Sequence, residues 1–117
     1  MKNFKQLRIW QKGMEIAVDA FSLIRQFPKE EKYSFSSQIT RTAVSIPSNI
    51  AEGSSRSSEK DYNRFLEHSL GSCYELETQM LIAEKVNYGE SSVRSQILEG
   101  LCEEQKMLIS FMSKLSK

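Results

Sequence analysis

Apolar residues recur at helical spacing in four stretches of the chain, and short polar segments separate these stretches. Steps of three and four residues between apolar positions place them on one face of an α-helix. The pattern predicts helices over about residues 4–27, 35–52 and 59–87, and a fourth helix that Ser91 or Ser92 caps. The apolar row of the third helix is Tyr62, Leu66, Ser69, Cys73, Leu76, Met80 and Ala83. The row of the fourth is Ile97, Leu101, Leu108, Phe111 and Leu115, with Glu104 as a polar interruption. Because helices joined by short connections run antiparallel, we expect an all-α, antiparallel up-down-up-down four-helix bundle that forms one domain over residues 1–117.

The predicted helix starts rest on residues that favour N-terminal caps. Asn3 with Gln6 resembles a capping box for the first helix, and Ser58 with Asp61 resembles one for the third. Ser34 is expected to cap the second helix.

The second predicted helix contains a proline. Pro47 lacks a backbone donor and clashes with the preceding turn, so a kink or short break is expected there. Ser45, Ser48 and Asn49 are placed to hydrogen-bond the freed backbone groups. Gly53 is expected to follow the last turn as the C′ residue.

The first helix carries two apolar rows instead of one. The first row is Leu7, Trp10, Met14, Ala17, Phe21 and Ile24. The second row is Ile9, Gly13, Ile16, Ala20, Leu23 and Phe27. At about 100° per residue the two rows cover an arc of roughly 220°, which is wider than the stripe of a surface helix.

One of these rows should therefore face a partner subunit, and we expect a homo-oligomer. The candidate interface residues are Ile9, Ile16, Leu23 and Phe27. The alternative is a lopsided monomer in which the first helix is central and both rows belong to the internal core.

The composition is that of a globular domain, with 39% apolar and 26% charged residues. No apolar run approaches the ~18 residues that a membrane span needs, and the first residues contain no apolar signal-peptide core. The two cysteines, Cys73 and Cys102, lie far apart. These features predict a cytoplasmic protein with no membrane partner.

No constellation of residues indicates catalysis or a metal site. His68 is the only histidine, and Phe65 stands three residues before it, where a bundle di-iron motif would need glutamate. Cys73 and Cys102 lie on or beside apolar rows and are expected to be packing residues. With no glycine-rich phosphate loop, the sequence predicts a protein that is not an enzyme and has no catalytic residues, metal, cofactor or small-molecule substrate.

The net charge of +1 is unevenly distributed. Residues 1–60 carry ten Lys/Arg and six Asp/Glu, whereas residues 61–117 carry six and nine. The candidate nucleic-acid-binding residues are Lys5, Arg8, Lys12, Arg41, Arg56, Lys60 and Arg64. Each group is small enough to be only a solvated face, but an oligomer would multiply it into a ring of cations. No aromatics alternate with these cations, so stacking on single-stranded bases is not expected.

The most distinctive stretch is Arg-Thr-Ala-Val-Ser-Ile-Pro-Ser-Asn-Ile-Ala-Glu-Gly at residues 41–53. It resembles the signature of bacterial four-helix-bundle proteins known from intervening sequences in 23S ribosomal RNA genes. Segments 7–12, 27–31 and 75–79 resemble other parts of that family, so the resemblance covers nearly the whole chain. The matching motif residues are Arg41, Ser45, Pro47, Asn49, Glu52 and Gly53.

The resemblance implies a homopentameric bundle. One branch of that family is an accessory to the reverse transcriptase of diversity-generating retroelements and binds nucleic acid, so the implied partners are RNA or DNA and a reverse transcriptase or other protein. The motif is expected to be mainly structural, with Arg41 and Glu52 either functional or joined in an ion pair. Two functions stay open, namely an oligomeric scaffold that binds RNA or DNA, and a protein-interaction module without nucleic-acid affinity.

Overall fold

A computed structural model describes residues 3–115 of the chain. These residues form four α-helices and no β-strand, which confirms the predicted all-α four-helix bundle. The helices are α1 (Arg8–Ile24), α2 (Phe35–Ser54), α3 (Glu59–Lys85) and α4 (Ser91–Leu115). Short 3-10 turns at Phe4–Gln6 and Lys29–Glu31 precede α1 and α2.

Each helix packs against the next one along the chain, and α1 also packs against α4, which closes the bundle. Hydrogen bonds between α2 and α3 show that these neighbours are antiparallel. Gln79 Nε2 donates to Thr42 Oγ1 at 3.2 Å, and further along Ser69 Oγ donates to the Ile46 carbonyl at 2.8 Å. The start of α1, the end of α2, the start of α3 and the end of α4 therefore share one end of a bundle about 45 Å long.

One continuous core runs through the bundle. The row predicted for α3 is buried from Tyr62 to Ala83. In α4 the predicted row is buried as far as Leu108, whereas Phe111 is only partly buried. Glu104, which interrupts that row, is fully buried among the apolar side chains.

The second apolar row of α1 faces the chain's own core. Ile9, Ile16, Leu23 and Phe27 are only 4%, 2%, 0% and 7% exposed. Their assignment to an oligomer interface is therefore wrong, because these side chains fill the centre of the bundle. The outward row is the other one, in which Met14 is 39% and Phe21 42% exposed.

The first α-helix starts later than predicted. Asn3 accepts a hydrogen bond from the backbone N–H of Lys5 at 3.1 Å, but it caps the 3-10 turn and not α1. Leu7 then adopts an extended conformation (φ −75°, ψ 131°), which separates the turn from α1. The prediction at Ser58 is confirmed, because its hydroxyl accepts from the Asp61 N–H at 3.1 Å and caps α3.

The second helix continues across Pro47, so the short break predicted there is absent. Ser45 Oγ donates to the Thr42 carbonyl at 2.6 Å, and Asn49 Nδ2 donates to the Ser45 carbonyl at 2.8 Å. Neither bond reaches the carbonyl of Ala43, which the proline deprives of its usual donor. The two side chains strengthen neighbouring turns and do not repair the freed group.

Gly53 is not a C′ residue, because it lies inside α2 and is buried. A Cβ at this position would stand 2.8 Å from the Cβ of Phe65 on α3. The glycine is needed for the close approach of two helices. Ser34, the expected cap of α2, makes no capping bond with its side chain.

The left-handed backbone conformations in the described residues occur in the α3–α4 connection, at Asn87 (φ 60°) and Gly89 (φ 77°). The buried guanidinium of Arg94 holds this connection. Its Nη1 donates to the Tyr88 carbonyl at 2.7 Å and to the Gly89 carbonyl. This arginine is a structural clamp on the loop.

Candidate nucleic-acid interface

Basic side chains gather at the end of the bundle where α1 and α3 begin. The bundle brings together residues that are far apart in the chain, because α2 and α4 finish at the same end. We call this surface the basic end, and it comprises Lys5, Arg8, Arg56, Lys60, Arg64, Lys106 and Lys114. Five of these seven were predicted from the sequence.

Two arginines of the basic end are paired with carboxylates. Arg56 Nη2 lies 2.9 Å from Glu52 Oε2, and Arg64 Nη2 lies 3.4 Å from Asp61 Oδ1. Both guanidinium groups also lie over the ring of Phe65, at 4.5 and 5.5 Å from its centroid. Such exposed ion pairs are weak, so both arginines remain free to turn to a phosphate. The other five cations form no ion pair within residues 3–115.

Two predicted cations stand apart from this surface. Lys12 Nζ lies 2.7 Å from Glu103 Oε1 and 3.5 Å from Glu15 Oε1, and the hydrogen bond to Glu103 raises the pKa of Lys12. Two carboxylates therefore neutralise its charge. Arg41 lies towards the opposite end of the bundle, where its Nη2 donates to Ser37 Oγ at 3.1 Å.

The sequence reasoning missed Lys106 and Lys114 on α4. They lie across from Arg8, on the rim of a depression of about 430 Å³ between the start of α1 and the end of α4. We call it the α1–α4 groove, lined by Leu7, Arg8, Lys106, Met107, Phe111 and Lys114. Lys106 and Lys114 belong to one helix, but only the packing of α1 against α4 joins them to Arg8, so local spacing in the sequence could not have assembled the whole group.

A second groove lies on the other side of α1 and is apolar. It has a volume of about 360 Å³ between α1 and α2. We call it the α1–α2 groove, and its lining includes Trp10, Met14, Val18, Phe21, Val44 and Pro47. Val18 is 58% exposed and Val44 43% exposed. Trp10, Met14 and Phe21 belong to the first apolar row predicted on α1, so this outward surface is formed largely by that row.

The family-motif residues serve mainly the α2–α3 contact and the turns of α2. Ser45 Oγ donates to Ser72 Oγ on α3 at 2.6 Å, and Pro47 is buried. The ion pair considered between Arg41 and Glu52 does not form, because Glu52 pairs with Arg56. These contacts contribute to the packing of α2 on α3 and to the turns of α2.

The remaining reactive groups do not assemble into a site. Cys73 is buried, and burial raises the pKa of its thiol, while Cys102 is exposed and free. Within residues 3–115, no three side chains of the His, Cys, Asp or Glu type come close enough to hold a metal ion. No helix in that part of the chain is long and apolar enough to cross a membrane.

Glu104 is the most perturbed acid among the described residues. Its carboxyl is fully buried, neither oxygen has a hydrogen-bond partner in residues 3–115, and burial raises its pKa to about 8. The positive charge of Lys12 opposes this rise in the pKa but is the smaller of the two effects. The sequence showed a polar interruption at this position but not its complete burial.

The chain is similar to a known protein family and to a solved structure. A family model described as 23S rRNA-intervening sequence protein matches residues 5–110. The fold is similar to the crystal structure of a protein of unknown function from the S23 ribosomal protein family of Bacteroides thetaiotaomicron VPI-5482, with 25% identity and a TM-score of 0.79. The match covers 89% of this chain and 97% of that one. No curated protein matches the chain.

Proposed function

The chain belongs to the 23S rRNA-intervening sequence protein family, and from this premise we propose that it is a non-catalytic, cytoplasmic homo-oligomer that binds RNA or DNA through its basic end. The observation that carries the proposal is the convergence of seven cations from four separate segments on one end of the bundle. Five of them form no ion pair within residues 3–115.

Phosphate binding by such a surface follows from electrostatics. Each Lys or Arg that meets a phosphate releases a condensed counterion, which makes the affinity depend steeply on salt. Contacts to phosphates position the nucleic acid but do not select a sequence. We therefore propose binding with little sequence preference.

Oligomer formation through the α1–α2 groove would strengthen this binding. The groove exposes Met14, Val18, Phe21 and Val44 to solvent, and an exposed apolar patch of this kind typically marks an interface. Five copies, the number that the family resemblance implies, would close a ring. Around the ring the basic ends repeat by symmetry, so a modest patch becomes a dense array.

A ring also requires a second, different surface, because head-to-tail interfaces join unlike patches. Exposed apolar side chains outside the groove lie on α3 and α4. Of these, Tyr74 and Leu81 are 48% and 45% exposed and lie two turns apart on one face of α3. We propose that this face of one copy covers the α1–α2 groove of the next.

The decisive experiment is fluorescence anisotropy with labelled structured RNA and labelled duplex DNA. Binding at micromolar protein and about 50 mM salt that weakens steeply towards about 200 mM is the expected result. Absence of binding at low salt would contradict the proposal. The α1–α2 groove would then favour the second candidate, a module that binds a reverse transcriptase or another protein and has no affinity for nucleic acid.

A further inference from the structure

The α1–α4 groove combines an apolar floor with a cationic rim. Leu7, Met107 and Phe111 form the floor. Arg8 stands on one wall, and Lys106 and Lys114 stand on the other, with no acidic residue in the lining. A ligand for this groove must therefore present an apolar, flat or compact group together with negative charge.

The aromatic ring in the floor is held in place. Phe111 is partly buried and meets the ring of Tyr62 edge-on, with centroids 5.8 Å apart. Edge-to-face contacts of this kind orient a ring, so little conformational freedom disappears when another flat group packs on Phe111. The groove is preorganised for stacking.

The spacing of the rim cations matches an extended anion. Lys106 and Lys114 are two turns apart on one face of α4, about 12 Å along the helix axis. Arg8 faces them from α1. Charges at this separation can reach separate phosphates of a strand that runs along the groove.

Acidic residues lie next to the α1–α4 groove, on the side that is further from the end of the bundle. The adjoining depression between the same helices shares Arg8, Lys106 and Met107 but adds Glu15 and Glu103 to its lining. Glu103 forms the 2.7 Å ion pair with Lys12. Lys12 also lines that depression, so its two carboxylates offset part of its positive charge, and a polyanion is attracted more strongly to the α1–α4 groove, whose lining has no acid.

We propose that the α1–α4 groove binds an unpaired nucleotide, with its base stacked on Phe111 and the flanking phosphates held by Arg8, Lys106 and Lys114. The inference rests on the proposed function and specifies its substrate as single-stranded RNA or DNA. Bases in a duplex are stacked and paired, so only an unpaired base can present its face to the ring. The sequence predicted no stacking because Lys106 and Lys114, which lie with Phe111 on α4, were not among its candidate cations, and Arg8 lies near the other end of the chain.

The test compares two labelled oligonucleotides of equal length, an unstructured single strand and a blunt duplex, by anisotropy at fixed low salt. Phe111→Leu keeps an apolar floor but removes the ring. It should weaken single-strand binding about five-fold or more and leave duplex binding unchanged. Phe111→Tyr retains the ring and should retain the preference for the single strand. Tyr33→Leu is the matched control, because Tyr33 is 87% exposed beside Lys32 at the other end of the bundle.

The outcomes separate this inference from the proposed function. Equal affinity of the native protein for duplex and single strand would show that the groove does not stack a base. Native-like binding of the single strand by both folded variants, Phe111→Leu and Tyr33→Leu, would show the same. In either case the basic end would still bind the phosphate backbone. If Phe111→Tyr loses the preference although its circular dichroism is native, stacking is also refuted. An oligoglutamate of equal charge that competes equally well with the single strand would show that the groove recognises charge alone. Absence of all binding by the native protein would instead remove the proposed function.

Discussion

The carboxyl of Glu104 lies against the backbone of Gly13, where α4 packs on α1. A Cβ at Gly13 would stand 3.1 Å from Glu104 Oε2, so the missing side chain makes room for the acid. Neither oxygen of Glu104 finds a hydrogen-bond partner among residues 3–115. A buried, unpartnered acid is costly to the fold, which leads to the first prediction.

Stability should depend on pH through Glu104. Its pKa is about 8 in the folded chain and near the ordinary value of 4.5 when unfolded. Between these values the folded state binds a proton that the unfolded state does not, so the free energy of unfolding falls as pH rises from about 4.5 to 8. Glu104→Gln cannot ionise and should lack this part of the pH dependence, which amounts to a few kcal/mol.

Urea denaturation of the native and Glu104→Gln proteins at several pH values measures the difference. Subtracting the two curves cancels the titration of other acids, such as Asp19, whose pKa is also raised by burial. Parallel curves would show that Glu104 is ionised or reaches solvent. Glu104→Met should be more stable than the native protein at pH 8, because it removes the unpartnered carboxyl from the core.

Two glycines in helices provide a matched test of helix packing. Gly53→Ala should lower the free energy of unfolding by about 1–3 kcal/mol, because its Cβ would meet the Cβ of Phe65 at 2.8 Å. Gly71 lies on an exposed part of α3, where an added Cβ would meet nothing within 4 Å. Gly71→Ala should therefore raise the free energy of unfolding by about 0.5–1 kcal/mol. Thermal unfolding of both variants measures the two changes in stability. A Gly53→Ala protein more stable than the native one would mean that α2 and α3 can move apart at this position without loss of stability.

Helical spacing is local information, and it was sufficient to predict the four helices and the buried row from Tyr62 to Ala83, because both depend on period alone. It was not sufficient to decide which of the two rows on α1 faces the core. That choice depends on the neighbours of α1, and the structure places Ile16 of the second row inside and Phe21 of the first row outside.

Helical spacing also could not predict the role of Gly53 or the grouping of cations that are far apart in the chain. A glycine near a helix end fits both a C′ position and a close helix contact, and only the position of α3 distinguishes the two for Gly53. Lys106 and Arg8 belong to one groove because α4 returns to α1. The spacing of residues along the chain does not show that the last helix packs against the first.

The buried and the exposed faces of α1 should respond differently to an introduced charge. Ile16→Glu buries an unpaired carboxylate in the core and should unfold the protein. Val18→Glu places the same charge in the exposed α1–α2 groove, so it should leave the helical circular dichroism intact but reduce the mass by light scattering after size exclusion. A native protein that already runs with the mass of one chain would refute the proposed ring.

Charge reversal at the two ends of the bundle tests which surface holds the phosphates. Arg8→Glu with Lys106→Glu changes two unpaired cations of the basic end. Lys29→Glu with Lys32→Glu is the matched control, since it changes net charge equally at the opposite end. Binding to duplex DNA should weaken strongly for the first pair, and the slope of log affinity against log salt should become shallower by about one for each phosphate that the variant no longer neutralises. The control should keep the native slope, because Lys29 and Lys32 touch no phosphate in the proposed complex. Equal effects of both pairs would mean that net charge alone drives binding, and the basic end would then have no special role.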